Sequence, residues 1–373
     1  MARPLRILHV QHSLEPGGME NGVVNIANAL QPRGFEFHVA CLSKTGEFAA
    51  RLPDPNLVNV LSKPNGFSLR IVFKLRRLIR QVRPDVVHSH NLGALIYAAC
   101  ATLFGRTHLI LHGEHGQPDD GPDAERRQHQ RRRFYKAASR VHTVSQALLD
   151  HFLATGLPPE KLVALVNGVD SKRFSPADRE QTRRELSIPT STKVLVIVGR
   201  LIESKKHRLL FDALEEVIAK YPDTLLLVVG GGGKEEASIC AAAASSKVAE
   251  NIRMEGFQSD PRPYYHAADL LVAPSQIEGL SNVVLEAMAC GLPPLLHDAC
   301  GSDEVIDDGA DGVVTDLSSA GLLATAIVNL LANPTELAEI GRRSRAKVIK
   351  RFSLEAMADA YENIYRQLAT ESR

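Results

Sequence analysis

KVLVIVGRLIESKKH, residues 193–207, decides how the chain is divided, because it restarts a pattern already completed once upstream. KVLVIVGR (193–200) is a β-rich run that opens a second series of strands: TLLLVVGGGG (224–233), NIRMEGF (251–257), DLLVAPS (269–275) and PPLLH (293–297), with helical segments between them. The first series holds LRILHV (5–10), FEFHVACL (35–42), DVVHSH (85–90), HLILHG (108–113) and RVHTVS (140–145). Its helices include GMENGVVNIANALQ (18–31) and SLRIVFKLRRLIRQVR (68–83), the second broken by Pro84. Strands alternating with helices predict parallel, doubly wound sheets. Residues 170–190, polar and Pro-containing, read as the linker between two such domains. The expected boundaries are 1–170 and 171–353, with a final helix over about 354–373 returning to the first domain. The fold class is therefore α/β, two Rossmann-like domains with an interdomain cleft. Ligands are expected at the carboxyl ends of the strands.

A chain of 373 residues has room for two domain cores. Its composition, 44% hydrophobic and 23% charged, is that of an ordinary globular protein. Net charge is +1, but residues 1–180 carry 24 Lys and Arg against 16 Asp and Glu, a balance of +8, and the remainder 20 against 27, or −7. Halves so different in sign predict surfaces with different partners. Five cysteines without a CxxC predict buried, reduced thiols and no zinc site. The N-terminus reads as a strand rather than a signal peptide, and the longest apolar run, 92–104, is too short to span a bilayer. The expected location is cytoplasmic, peripheral to the inner face of the membrane.

The sharpest chemistry lies in PSQIEGLSNVVLEAMACGLPP, 274–294. Glu278 precedes a helix whose N-terminal amides suit a diphosphate, and Glu286 sits about two turns into that helix. A carboxylate among Val, Leu, Ala and Met must reach solvent or find a partner. In GRLIESKKH (199–207), Arg200 and Lys205 follow a strand end and form a candidate diphosphate clamp, one as a fork and one as a point charge. EPGGMENG (15–22) places Gly17 and Gly18 between the first strand and the first helix, where backbone and anion can approach.

EGLSNVVLEAMACGLP closely resembles the signature of the "group 1" retaining GT-B glycosyltransferases. The resemblance implies that Glu278 contacts the donor sugar hydroxyls and Glu286 the nucleotide ribose. Gly279, Leu280, Ser281, Asn282 and Val283 then fall where the main chain meets the donor. Arg200 and Lys205 match the family's GRL-x-x-x-K, although Lys206 stands where Gly or Asn is usual. EPGGMENG resembles the family's PGG-x-E loop, whose glycines face the donor phosphates, with Glu20 at its acidic position. Gly230 in GGGGK resembles the family's G-x-G. Gly256 and Phe257 in MEGF resemble a segment whose backbone pairs with the base edge.

The first half is rich in histidines: His88 and His90 in DVVHSHN, His112 and His115 in LHGEHG. His-x-His on a strand supplies only two ligands, and no DxD occurs, so no metal is expected. The family has one histidine near the transferred sugar. His115 is the favoured match and His112 the alternative, while His90 and His112 are candidates for the acceptor side. The expected catalytic set is Glu278, His115, Arg200 and Lys205, with a nucleotide-diphosphate sugar as co-substrate, UDP before GDP or ADP, and no cofactor. The resemblance implies a saccharide or lipid-linked acceptor and a role in polysaccharide or glycoconjugate synthesis. Basic residues at 70–80 and 126–140 are either a solvated face or a weak contact with an anionic membrane. Nucleic acid is not expected, since no aromatic residues are spaced to stack bases. The competing classes are a nucleotide-sugar 2-epimerase of similar architecture, a glycosidase, a dinucleotide dehydrogenase and a non-catalytic carbohydrate-binding homologue. A dehydrogenase would need GxGxxG after the first strand, and a glycosidase has no use for a basic clamp.

Overall fold

The computed structural model describes residues 3–103, 109–116, 124–154, 156, 158–275, 281–299 and 301–371. The chain forms two compact units, Met1–Gly168 with Leu354–Arg373, and Val169–Ser353.

The first unit holds strands β1 (Leu5–Gln11), β2 (Phe35–Cys41), β3 (Val58–Val60), β4 (Val86–His90), β5 (Leu109–Glu114), β6 (Arg140–Thr143) and β7 (Leu162–Ala164). They form one sheet in the order β3-β2-β1-β4-β5-β6-β7, and every pairing is parallel. The second unit holds β8 (Lys193–Val198), β9 (Thr224–Val229), β10 (Ile252–Gly256), β11 (Leu270–Ala273), β12 (Pro294–His297) and β13 (Val313–Thr315). Their order is β10-β9-β8-β11-β12-β13, again parallel throughout. Each sheet reverses its winding once, between β1 and β4 and between β8 and β11. At such a switch point the flanking loops part and leave a crevice at the strand ends.

The sequence produces these layers directly. Val194, Leu195 and Val196 on β8 are fully buried, as a parallel strand covered on both faces requires. Helix Leu69–Val82 buries Ile71, Val72, Leu75, Leu78, Ile79 and Val82, a stripe at three- and four-residue spacing. It ends at Arg83, which takes a left-handed conformation (φ 51°) immediately before Pro84. The last helix, Leu354–Glu371, packs Met357, Tyr361, Tyr365 and Leu368 into the core beneath β1 and β2.

Two sequence expectations differ from the structure. Strands β3, β7 and β13 are not marked by the sequence pattern; each has only three residues and stands at a sheet edge. Residues 170–190, expected as a linker, belong to the second unit and contain helix Arg179–Glu185. Arg183 holds that segment down. Its guanidinium, 5% exposed, donates to the carbonyls of Ala267 (2.9 Å) and Thr190 (3.0 Å) and to Asp269 (2.9 Å). A buried guanidinium with its donors satisfied anchors a segment rather than freeing it. The chain passes between units at Gly168–Val169 and Ser353–Leu354, where Val169 bridges to Ser353 and its N–H donates to Phe352 O at 2.8 Å.

Candidate active site

In the second unit, the loop after β8 carries both residues of the expected clamp. Arg200 is exposed and Lys205 half-buried, its stem lying along Gly199. The loop is held from below by the glycine run that follows β9. Gly199 N–H donates to Val229 O (2.9 Å), Leu201 N–H to Gly232 O (3.0 Å) and Gly230 N–H to Gly256 O (2.8 Å). Gly230 (φ 142°) passes so close beneath Gly199 that a Cβ there would overlap its carbonyl oxygen. Gly256 (φ 67°) turns the chain at the end of β10, next to Phe257, whose ring is 60% exposed. Both glycines take positive-φ backbone that a side chain disfavours, and at Gly230 the close approach to Gly199 excludes one outright. The ends of β8, β9 and β10 thus present one basic loop, one glycine crossing and one exposed ring on the same sheet edge.

Helix Asn282–Ala289 begins at Ser281, whose side chain makes no capping hydrogen bond. Asn282 and Val283 are half-buried on its first turn, at the positive end of the helix dipole. Glu286 lies on the face away from the buried Val284, Leu285, Ala287 and Met288. Its partner is Tyr265, whose hydroxyl donates to the carboxylate at 3.0 Å. Burial, then the neighbouring Glu286 charge, pushes the Tyr265 phenol well above its ordinary range, so it stays protonated and can donate to the carboxylate. Glu278, Gly279 and Leu280 lie outside the described residues. A cavity of about 210 Å³ lies between the loop after β8, at Glu203, Lys206 and His207, and the ends of β11 and β12, at Pro274 and His297.

In the first unit, Gly17 precedes helix Gly18–Leu30 in extended conformation, with no side-chain cap, and the Glu20 carboxylate folds back over it. The histidines separate by sheet face. His112 is fully buried on the face toward Tyr135, with Nδ1 against Ser89 Oγ (2.9 Å) and Nε2 against Glu114 Oε1 (3.3 Å). Burial alone would raise the Glu114 pKa; His112, Arg131 (3.1 Å) and the Tyr135 hydroxyl (2.5 Å) instead hold it at about 2. His115 is half-buried in the segment after β5, on the other face. It is bonded through Nε2 to His90 Nδ1 at 2.9 Å. His90 is 2% exposed and is joined in turn to His9. Of the histidines named by the sequence, only His115 has surface to offer a ligand; His88, His90 and His112 are buried.

Two family models match the chain. "Glycosyl transferases group 1" covers residues 178–347 and "Glycosyltransferase Family 4" covers residues 16–173. The chain belongs to the group 1 glycosyltransferases. A relative of this group 1 chain is the D-inositol 3-phosphate glycosyltransferase of Segniliparus rotundus, 35% identical over 213 residues, covering 56% of this chain and 47% of the relative. Another is the GDP-mannose-dependent monoacylated alpha-(1-6)-phosphatidylinositol monomannoside mannosyltransferase of Corynebacterium glutamicum, 33% identical over 212 residues, 54% of this chain and 55% of the relative. These matches span about half the length of the relatives. Among solved structures, Anabaena Alr3699/HepE in complex with UDP superposes with a TM-score of 0.85 at 22% identity, over 97% of this chain and 100% of that one. At that identity the likeness concerns the fold, which is GT-B.

Sequence reading of this group 1 glycosyltransferase missed three supporting residues. Tyr265 is one, because a tyrosine 21 residues from Glu286 carries no local signal. His9 and Gly113 are the others. A signal for His9 was available: in LRILHVQ, His9 and Gln11 are polar at alternate positions after the apolar Ile7 and Leu8, and both are fully buried. A buried polar pair on a central strand is informative in itself. Gly113 has no side chain because a Cβ there would overlap His142 Nε2 and come within 3.0 Å of His115 Nε2.

Proposed function

We propose that this group 1 glycosyltransferase is a retaining, metal-independent enzyme that moves a sugar from a nucleotide-diphosphate donor to a saccharide or lipid-linked acceptor in polysaccharide or glycoconjugate synthesis. The observation that carries the reading is the Arg200–Lys205 loop, fixed at the end of β8 by the glycine crossing beneath it. Transfer of a glycosyl group builds positive charge at the anomeric carbon while the diphosphate leaves with growing negative charge. Donors fixed in advance stabilise that leaving group most effectively. Arg200, Lys205 and the first-turn amides of helix Asn282–Ala289 are such donors. With no DxD in the sequence, they take the place of a divalent cation. Glu286, oriented by Tyr265, binds the ribose. Glu278, by family resemblance, holds the sugar hydroxyls and offsets positive charge, and His115 meets the transferred sugar. UDP is the first nucleotide to test, with GDP second, since the Corynebacterium relative is named as GDP-mannose-dependent.

The two glutamates should fail differently. Interactions made only in the transition state lower kcat when removed, whereas uniform binding mainly raises KM. Glu278→Gln is expected to lower kcat by about tenfold or more, on the order of 1.4 kcal/mol. Glu286→Gln is expected to leave kcat near wild type and to weaken donor and free nucleotide alike. Nucleotide release on mixing donor with acceptor, with calorimetry on the free nucleotide, reads both. Unchanged nucleotide affinity in Glu286→Gln, or full kcat in Glu278→Gln, contradicts the assignment.

We also propose a weak contact of the first unit with anionic membrane. Phe67, Leu69 and Phe73, 57%, 65% and 67% exposed, stand around the start of helix Leu69–Val82 beside Arg70, Arg77 and Arg80. Apolar anchors among cations fit an anionic bilayer surface. Among the described residues no helix is long and apolar enough to cross a membrane. Pelleting with phosphatidylglycerol vesicles is expected to exceed that with phosphatidylcholine vesicles, to fall with added salt, and to fall again in Phe73→Ser. Equal, negligible pelleting with both vesicles at low salt contradicts it.

A further inference from the structure

Three imidazoles form a continuous chain through the first unit. His9 Nδ1 lies 2.8 Å from His90 Nε2, and His90 Nδ1 lies 2.9 Å from His115 Nε2. The first two rings are stacked nearly parallel, at an interplanar angle of 6°. His9 is fully buried and His90 is 2% exposed. At the inner end, His9 Nε2 is buried without a hydrogen-bond partner. The neighbouring pair is separate, since His88 Nε2 bonds His142 Nε2 at 2.9 Å and His88 Nδ1 bonds the Tyr365 hydroxyl at 2.8 Å. His9, His88 and His90 each offer a nitrogen within 4.8 Å of the others, but both nitrogens of His88 and both of His90 already serve these hydrogen bonds.

A neutral imidazole has one N–H and one lone pair. Burial, with neighbouring histidines adding to it, lowers the pKa of His9 to about 3, and lowers His90 well below its ordinary range; burial takes His115 to about 4. All three are therefore neutral near neutral pH. Only two proton arrangements then satisfy both hydrogen bonds. In one, His9 Nδ1–H donates to His90 and His90 Nδ1–H donates to His115. In the other, every bond is reversed. The second buries a His9 Nε2–H with nothing to receive it, and orphaned buried N–H groups are rarer than under-used acceptors. The first leaves only a bare lone pair inside and places an N–H at the outer end.

We infer that His9 and His90 are positioning residues that fix His115 as its Nδ1–H tautomer, so that His115 meets its substrate as a hydrogen-bond donor and not as a base. This rests on the proposed glycosyl transfer only for what the substrate is. A donor there suits an electron-rich hydroxyl or ring oxygen of a sugar, and it withholds the lone pair that would take a proton from one. Gly113 leaves room for the chain, because a Cβ there would overlap His142 Nε2 and crowd His115 Nε2 at 3.0 Å.

The test has two arms on the full chain. Long-range ¹H–¹⁵N spectra of ¹⁵N-histidine-labelled protein, recorded without donor, read the tautomers directly. The expected result is a protonated Nδ1 and bare Nε2 on His115, and the same on His90. A protonated Nε2 on His115 overturns the inference, whether or not the protein transfers sugar. The second arm compares His90→Asn, whose amide can still donate from the Nδ1 position, with His90→Asp, which can only accept there. His90→Asp is expected to move the proton of His115 to Nε2 and to lower kcat about tenfold or more with donor KM little changed, while His90→Asn keeps the tautomer and most of kcat. A tautomer that switches in His90→Asp without any change in kcat overturns the link to substrate.

Discussion

Arg200→Ala is expected to lower kcat/KM by about a hundredfold or more, on the order of 3 kcal/mol, with thermal stability unchanged. The side chain is exposed, so its removal leaves no cavity and no buried orphan. On the proposed mechanism, what is lost is a preorganised donor at the leaving diphosphate, where charge grows during the reaction. Lys205→Ala should lose a similar factor. Arg200→Lys should recover only part, because an ammonium cannot reproduce the guanidinium fork. The check is steady-state kinetics at saturating acceptor beside a melting curve. An Arg200→Ala enzyme within a factor of about three of wild type would remove the clamp from the mechanism.

Gly230→Ala is expected to have the largest effect on stability. A Cβ at this residue would overlap the Gly199 carbonyl oxygen and lie 2.8 Å from its carbon, and the backbone sits at φ 142°. The obstacle is backbone hydrogen-bonded on both sides, so it cannot turn aside as a flexible side chain could. The cost should exceed about 3 kcal/mol. At roughly 2–4 °C per kcal/mol for a unit of this size, the second unit should melt about 6–12 °C lower. Gly256→Ala is the control. It shares the positive φ (67°), but nothing lies within 4 Å of its added Cβ, so about 1 kcal/mol is expected. Equal melting temperatures for the two variants would show that the crossing yields.

The fold was largely legible because buried parallel strands are written in unbroken apolar runs. VLVIV (194–198) and LLLVV (225–229), for example, sit in the neighbouring strands β8 and β9. The unread strands, β3, β7 and β13, lack that signal because a three-residue edge strand buries little and has no period to detect. The linker was misread for a related reason. Polar composition at 170–190 looks the same whether a charge is solvated or, like Arg183, buried against Asp269. In the candidate site, Arg200, Lys205 and Gly230 could be named because each belongs to a motif that is local in sequence. Tyr265 with Glu286, and His9 with His90, are joined only by the fold, 21 and 81 residues apart.

The central claim, that the second unit grips a nucleoside diphosphate with its own cations, is tested most directly by calorimetric titration of the full chain with UDP, then GDP and ADP, in EDTA. A ligand that binds only the folded chain also raises its melting temperature, which gives an independent reading. The account predicts binding with chelator present, UDP first, weakened in Glu286→Gln and lost in the Arg200→Ala, Lys205→Ala double variant. No binding of any of the three nucleotides, or binding that the double variant leaves intact, would contradict it.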